Sequence, residues 1–128
     1  MNRKIAIETA SAPSAVGPYS QAMKTDSLLF TSGQLPIDPA TGKMVGGSVE
    51  DRAHQVLRNL AAVIEAAGGK LEDVIKTTVF LADIGDFQKV NTVYAEYFST
   101  PFPARSAFQV AALPLGADIE IEAVVLIK

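Results

Sequence analysis

Arg105 has the most telling chemical surroundings in the chain. It stands in Phe102-Pro103-Ala104-Arg105-Ser106-Ala107-Phe108, an otherwise apolar segment whose nearest acids along the sequence are Glu96 and Asp118. A desolvated guanidinium without a partner is costly, and its rigid planar fork suits a carboxylate held by two parallel hydrogen bonds. Taken alone, the segment fits a bound organic acid, a structural pair with a distant Asp or Glu, or plain exposure. Glu120 and Glu122 fall on one strand face by period-two alternation within Ile119-Glu120-Ile121-Glu122. Such a pair can do acid–base work where burial separates the two proton affinities, although a solvated face is the commoner outcome. Gly17-Pro18-Tyr19 and Thr31-Ser32-Gly33-Gln34 each join a permissive glycine to a hydroxyl. Gly33 can expose backbone N–H groups, and Ser32 and Tyr19 can donate hydrogen bonds, with turn formation as the plainer reading.

Composition removes many other chemistries. The 128 residues include no cysteine, which excludes disulfides, thiolate nucleophiles, Cys-ligated zinc and iron–sulfur clusters. The single histidine, His54, rules out His-based metal sites and Ser-His-Asp triads. It falls off the apolar stripe of its helix and reads as a solvated surface residue. No phosphate loop, dinucleotide fingerprint or zinc motif is present. Eleven Lys and Arg against fourteen Asp and Glu give a net charge of −3, with the basic residues scattered rather than clustered as phosphate tracking requires. The start of the chain lacks a signal-peptide apolar region and nothing approaches the roughly 18 apolar residues of a membrane span, so a cytoplasmic location is expected.

The elements that must position these residues are legible as patterns. Ser48 is a candidate N-cap, with Asp51 three residues on, followed by a helical stripe at Ala53, Val56, Leu57, Leu60, Ile64 and Ala67 and a stop at Gly68-Gly69. Phe87, Val90, Tyr94, Tyr97 and Phe98 mark a second helix, capped by Asp83 or Asp86 and stopped by Pro101, whose aromatic stripe reads as core packing. Extended segments are expected at residues 4–7, 21–23, 28–32, 74–81 and 119–127, with Ile75, Thr77, Val79 and Leu81 sharing a face. Asp38-Pro39-Ala40-Thr41-Gly42 has turn chemistry. The order is roughly β-β-β-α-β-α-β-β, an α+β sandwich in one domain spanning 1–128, its two helices covering one face of a mixed sheet. An apolar content of 48% with 20% charged residues is high for so small a chain, and points to a partly apolar opposite sheet face buried in a homo-oligomer.

Together, Gly17-Pro18-Tyr19-Ser20-Gln21, Thr31-Ser32-Gly33-Gln34-Leu35-Pro36, Lys76-Thr77-Thr78-Val79-Phe80-Leu81, Phe102-Pro103-Ala104-Arg105-Ser106 and Ile119-Glu120-Ile121-Glu122-Ala123 occur in this order. The chain thereby resembles the RidA (YjgF-type) family of reactive intermediate/imine deaminases over nearly its whole length. The resemblance implies a chorismate-mutase-like α+β fold and a homotrimer with clefts between neighbouring subunits. It implies hydrolysis of 2-enamines and 2-imines of amino acids, such as 2-aminoacrylate, to 2-keto acids and ammonia, without a cofactor. By motif position, Arg105 would hold the substrate carboxylate and Glu120 would orient and deprotonate the attacking water. Gly33 and Ala107 would offer backbone polar groups, and Tyr19, Ser32 and Asn91 would line the cleft. Many relatives carry cysteine where this chain has Ala107, so any thiol role is lost here. Two other readings remain open: an RNA-directed endoribonuclease or translation inhibitor, which the charge argues against, and a non-catalytic metabolite binder.

Overall fold

The computed structural model describes residues 3–128. Its strands are β1 (Ile5–Ile7), β2 (Ala22–Lys24), β3 (Leu28–Thr31), β4 (Ile37–Asp38), β5 (Lys43–Met44), β6 (Val74–Leu81), β7 (Ala104–Gln109) and β8 (Ile119–Leu126). Helix α1 (Val49–Ala66) follows β5, and α2 (Phe87–Tyr97) joins β6 to β7. Six strands form one mixed sheet in the order β1-β2-β3-β8-β6-β7, while β4 and β5 make a small separate hairpin around the Asp38–Gly42 turn. Among the described residues, β6 and β7 are the one parallel pair, joined by a helical crossover. The chain is α+β, as its pattern predicts.

Both helices are built where their signals stand. The Ser48 side chain accepts from the Asp51 N–H and the Asp51 carboxylate accepts from the Ser48 N–H, so each satisfies a donor at the start of α1. Those hydrogen bonds hold the Asp51 carboxyl below the ordinary carboxylate range. Gly68, at φ +87, turns the chain out of α1, a conformation that suits glycine. Asp83 caps the short turn before α2, accepting from the Gly85 N–H, whereas Asp86 makes no side-chain cap bond. Val56, Leu57, Leu60, Val63 and Ile64 from α1 and Val90 and Val93 from α2 are buried with Leu29, Val79, Leu81, Ile119, Ile121 and Val125 of the sheet. The core therefore lies between the helices and one sheet face. No helix among the described residues is long and apolar enough to cross a membrane.

Two expectations need correction. Ile75 does not share the face of Thr77, Val79 and Leu81: the register slips between Val74 and Lys76, so Val74 is buried and Ile75 is 46% exposed. One extra residue in a strand reverses the alternation on its far side. His54 is not a freely solvated side chain either. Its Nδ1 lies 2.9 Å from the Tyr97 hydroxyl across the two helices, and it is partly buried.

Among the described residues, no helix lies over the opposite sheet face. By register it carries Phe30 and Val124, Lys76, Thr78 and Glu122, and Phe80 beside Glu120 and Phe108. The Phe80 and Phe108 rings meet edge to face at 5.4 Å, and Lys76 donates to Ser106. Phe30, Phe108 and Leu126 are all exposed in the single chain, matching the partly apolar open face expected from composition.

Candidate active site

Glu120 lies near the start of β8, in the strand segment that follows the tight Pro114–Gly116 turn. Its side chain points to the open sheet face and stands directly against Gly33. A Cβ on Gly33 would come within 2.7 Å of the Glu120 carboxyl carbon and 2.9 Å of its Cγ, and closer still to one carboxylate oxygen. Gly33 has no positive φ, so glycine is needed here for approach rather than for backbone freedom. Gln34 and Ile121 exchange backbone hydrogen bonds on the far side of this contact, which ties the Gly33 segment to β8. Burial pushes the Glu120 carboxyl above the usual carboxylate range, and the neighbouring Glu122 charge adds to the effect.

Glu120 and Gly33 belong to a cleft of about 730 Å³. Tyr19, Gln21, Ser32, Gln34 and Glu122 also line it, with Leu35, Ile37, Pro39, Val16 and Leu115 as apolar wall. The loop bearing Tyr19 is held by Gln21, a buried side chain that accepts from the Thr9 N–H and donates to the carbonyls of Thr9, Ala12 and Pro13. Ser32 donates through its hydroxyl to the Ser20 carbonyl at 2.6 Å and through its N–H to Gln21. The wall at Leu35 and Ile37 is fixed by Asn59 of α1, a buried amide that donates to both carbonyls.

Arg105 sits elsewhere. It pairs with Thr77 on β6, whose own β8 partner is Ala123, so its side chain shares the helix-covered face, whereas Glu120 faces the other way. The guanidinium lies 4.9 Å from the Tyr94 ring centroid and 5.2 Å from that of Phe87, and donates to the Asn91 Oδ1 at 2.7 Å. Phe87, Asn91 and Tyr94 are i, i+4 and i+7 on α2, one stripe that cradles the fork. The Tyr94 hydroxyl is anchored on the buried Thr77 at 2.7 Å. Burial raises the Tyr94 hydroxyl's pKa against the opposing pull of Thr77 and Arg105. Arg105 makes no ion pair with any Asp or Glu among the described residues. The aromatic stripe of α2 is thus more than the core packing expected of it.

The structure therefore sorts the expected residues into two groups. Tyr19, Ser32, Gly33 and Glu120 line one cleft, while Arg105 and Asn91 are joined on the other sheet face, with Ala107 two residues along the same strand and partly buried against the core. Sequence reasoning missed Gln21, Phe87, Tyr94 and Leu115. Asn91 standing inside an aromatic helical stripe was the available signal for Phe87 and Tyr94. A buried glutamine that holds a loop leaves no local trace.

Comparisons with known proteins bear on the family and the fold. Residues 9–127 match the family described as Endoribonuclease L-PSP. A RutC family protein of Sinorhizobium fredii is 56% identical over 119 residues, covering 93% of this chain and 94% of its own. The human protein named 2-iminobutanoate/2-iminopropanoate deaminase is 52% identical over 120 residues, covering 94% and 88%. The crystal structure of RidA from an Antarctic Psychrobacter superposes with a TM-score of 0.93 at 47% identity, over 96% of this chain and 99% of that one. The chain belongs to the Endoribonuclease L-PSP (YjgF/RidA) family.

Proposed function

We propose that this protein hydrolyses 2-imines and 2-enamines of small amino acids, 2-aminoacrylate among them, to 2-keto acids and ammonia, in clefts completed by a second copy of the chain within a homotrimer. The observation that carries this reading is Arg105: an exposed guanidinium stacked on two rings, hydrogen-bonded to one neutral amide and, among the described residues, paired with no carboxylate. Its fork is preorganised for an organic acid from outside the chain. The names of the relatives support the reaction class. A cytoplasmic site, metal-free and cofactor-free, completes the proposal.

The chemistry needs little more. A protonated imine carbon is already electrophilic, and an enamine reaches that state by taking a proton at carbon. Arg105 holds the carboxylate and Asn91 fixes the fork. Glu120, held in a half-buried setting that raises its proton affinity, takes a proton from water as the oxygen attacks the imine carbon. The resulting aminoalcohol then collapses: Glu120 returns its proton to the amine, the C–N bond breaks as ammonia leaves, and the C=O of the keto acid forms as the hydroxyl proton passes to the Glu120 carboxylate, which releases it to the departing ammonia as ammonium. Tyr19, Ser32 and backbone groups of Gly33 and Ala107 orient the substrate.

Arg105 and Glu120 face opposite ways in one chain, so an active site holding both draws them from different copies. The open apolar sheet face supports such association. The test is keto-acid release from a dehydratase that produces 2-aminoacrylate, accelerated by wild type. Arg105→Ala and Glu120→Ala are each expected to lose the acceleration, and Arg105→Lys to lose much of it. Co-assembly of equal amounts of the two alanine variants is expected to recover about a quarter of wild-type activity, because that share of intersubunit sites receives both intact residues. Activity of Arg105→Ala equal to wild type would remove the reading, and no recovery on co-assembly would remove the shared site.

A further inference from the structure

Three of the most exposed large apolar side chains, Val16 (88%), Leu115 (75%) and Tyr19 (51%), line the same cleft. Isolated exposed apolar residues are ordinary on a protein surface, but several around one cavity mark a binding surface. Leu115 is also the one non-glycine residue with positive φ among the described residues, at φ 59 and ψ 21 in the turn between β7 and β8. A branched side chain in the left-handed region is disfavoured, and burial within the chain does not offset that cost here. Backbone held in such a conformation presents its side chain in a fixed direction, and such outliers concentrate at ligand sites.

The cleft has a mixed lining. Glu120, Gly33 and Ser32 contribute polar groups, while Leu115, Val16, Pro13, Ile37 and Pro39 contribute apolar surface. A 2-imino acid needs both, polar groups for its carboxylate and C=N and apolar surface for its side chain.

We propose that Leu115 is a specificity-determining residue whose side chain, with Val16, receives the side chain of the substrate. The protein then favours 2-imino acids with branched aliphatic side chains of four carbons over 2-iminopropanoate. This inference rests on the deaminase reading above. Leu115 selects because its backbone fixes it at the cleft, whereas the reacting atoms stay with Glu120 and Arg105.

The test compares two imines generated in situ by a flavin-dependent amino-acid oxidase, one from alanine and one from leucine, with semicarbazide trapping the unhydrolysed imine. Wild type is expected to show the higher kcat/KM on the leucine-derived imine. Leu115→Gly suits the local φ and keeps the fold, and it is expected to lower the leucine-to-alanine ratio of kcat/KM about tenfold. Leu115→Met is expected to hold the ratio near wild type. Thermal unfolding and sedimentation of each variant accompany the kinetics. A ratio unchanged in Leu115→Gly, or a wild type that favours the alanine-derived imine, overturns the proposal while leaving the deaminase reading standing. Dissociation of Leu115→Gly into smaller species overturns it as well, assigning the side chain to packing between copies. Failure of wild type to hydrolyse either imine sinks both readings together.

Discussion

Gly33→Ala separates the geometry of the site from the stability of the fold. The added Cβ would stand 2.7 Å from the Glu120 carboxyl carbon, whereas ordinary contact begins at 3.4 Å. That carbon must therefore retreat by 3.4 − 2.7 = 0.7 Å, and the nearer carboxylate oxygen by more. All three of the closest atoms belong to one flexible side chain, so the carboxylate gives way rather than the backbone. Gly33 has no positive φ, so alanine meets no backbone strain and loses less chain entropy on folding than glycine does. Stability should stay within about 1 kcal/mol of wild type. Activity should not. A misplacement approaching 1 Å in a catalytic group costs on the order of 10²-fold, so kcat/KM is expected to fall about 30- to 100-fold. Steady-state keto-acid release on a fixed imine source, with a denaturant titration of the same preparations, measures both quantities. Wild-type kcat/KM in Gly33→Ala would refute the role given to the Glu120 position. A loss of activity accompanied by an equal loss of fold would refute the claim that the clash is absorbed by that side chain alone.

Two further perturbations follow from other contacts. Burial, and after it the Glu122 charge, raises the Glu120 pKa, so the working carboxylate is lost as the pH falls through that raised value and activity falls with it. Glu122→Gln removes the neighbouring negative charge, lowers the Glu120 pKa, and is expected to move the acidic limb of the kcat/KM profile to lower pH; an unmoved limb, or one displaced upward, would contradict the assignment. Asn59→Ala leaves the Leu35 and Ile37 carbonyls without their buried donor and is expected to cost about 1–3 kcal/mol of stability in urea titration, with an unchanged midpoint as the contrary result.

Under the proposed reaction, separation of Arg105 and Glu120 onto opposite sheet faces would tie catalysis to quaternary structure. A central sheet offers two faces, and this one buries the first under α1 and α2. Glu120 points from the face left open, where Phe30, Phe108 and Leu126 are also exposed. Covering that face with a neighbouring copy would exclude water from the apolar side chains and bring a second protein surface to Glu120 in one step. Catalytic competence would then depend on assembly, and protein concentration would become a variable in every activity measurement.

Local physics made much of this protein readable from its residues. Ser48 and Asp51 specify the start of α1 through bonds spanning three residues, Gly68 ends it, and the period-two pattern of Ile119 to Glu122 already separates core from carboxylate. Arg105 and Glu120 were equally legible as candidates, because an arginine without acidic neighbours along the chain and carboxylates at alternate strand positions are visible as patterns, although Arg105 proves exposed rather than desolvated. Long-range register decided the rest. Whether Arg105 and Glu120 face together depends on how β7 and β8 each pair with β6, and the slip that exposes Ile75 shows how one residue reverses a face. The stacking of Arg105 on Phe87 and Tyr94 requires α2 to lie over β7, and the approach of Gly33 to Glu120 joins positions 87 residues apart. Neighbours along the chain carry no record of such contacts, since the free energy that selects them comes from burial across the whole sheet rather than from any local preference.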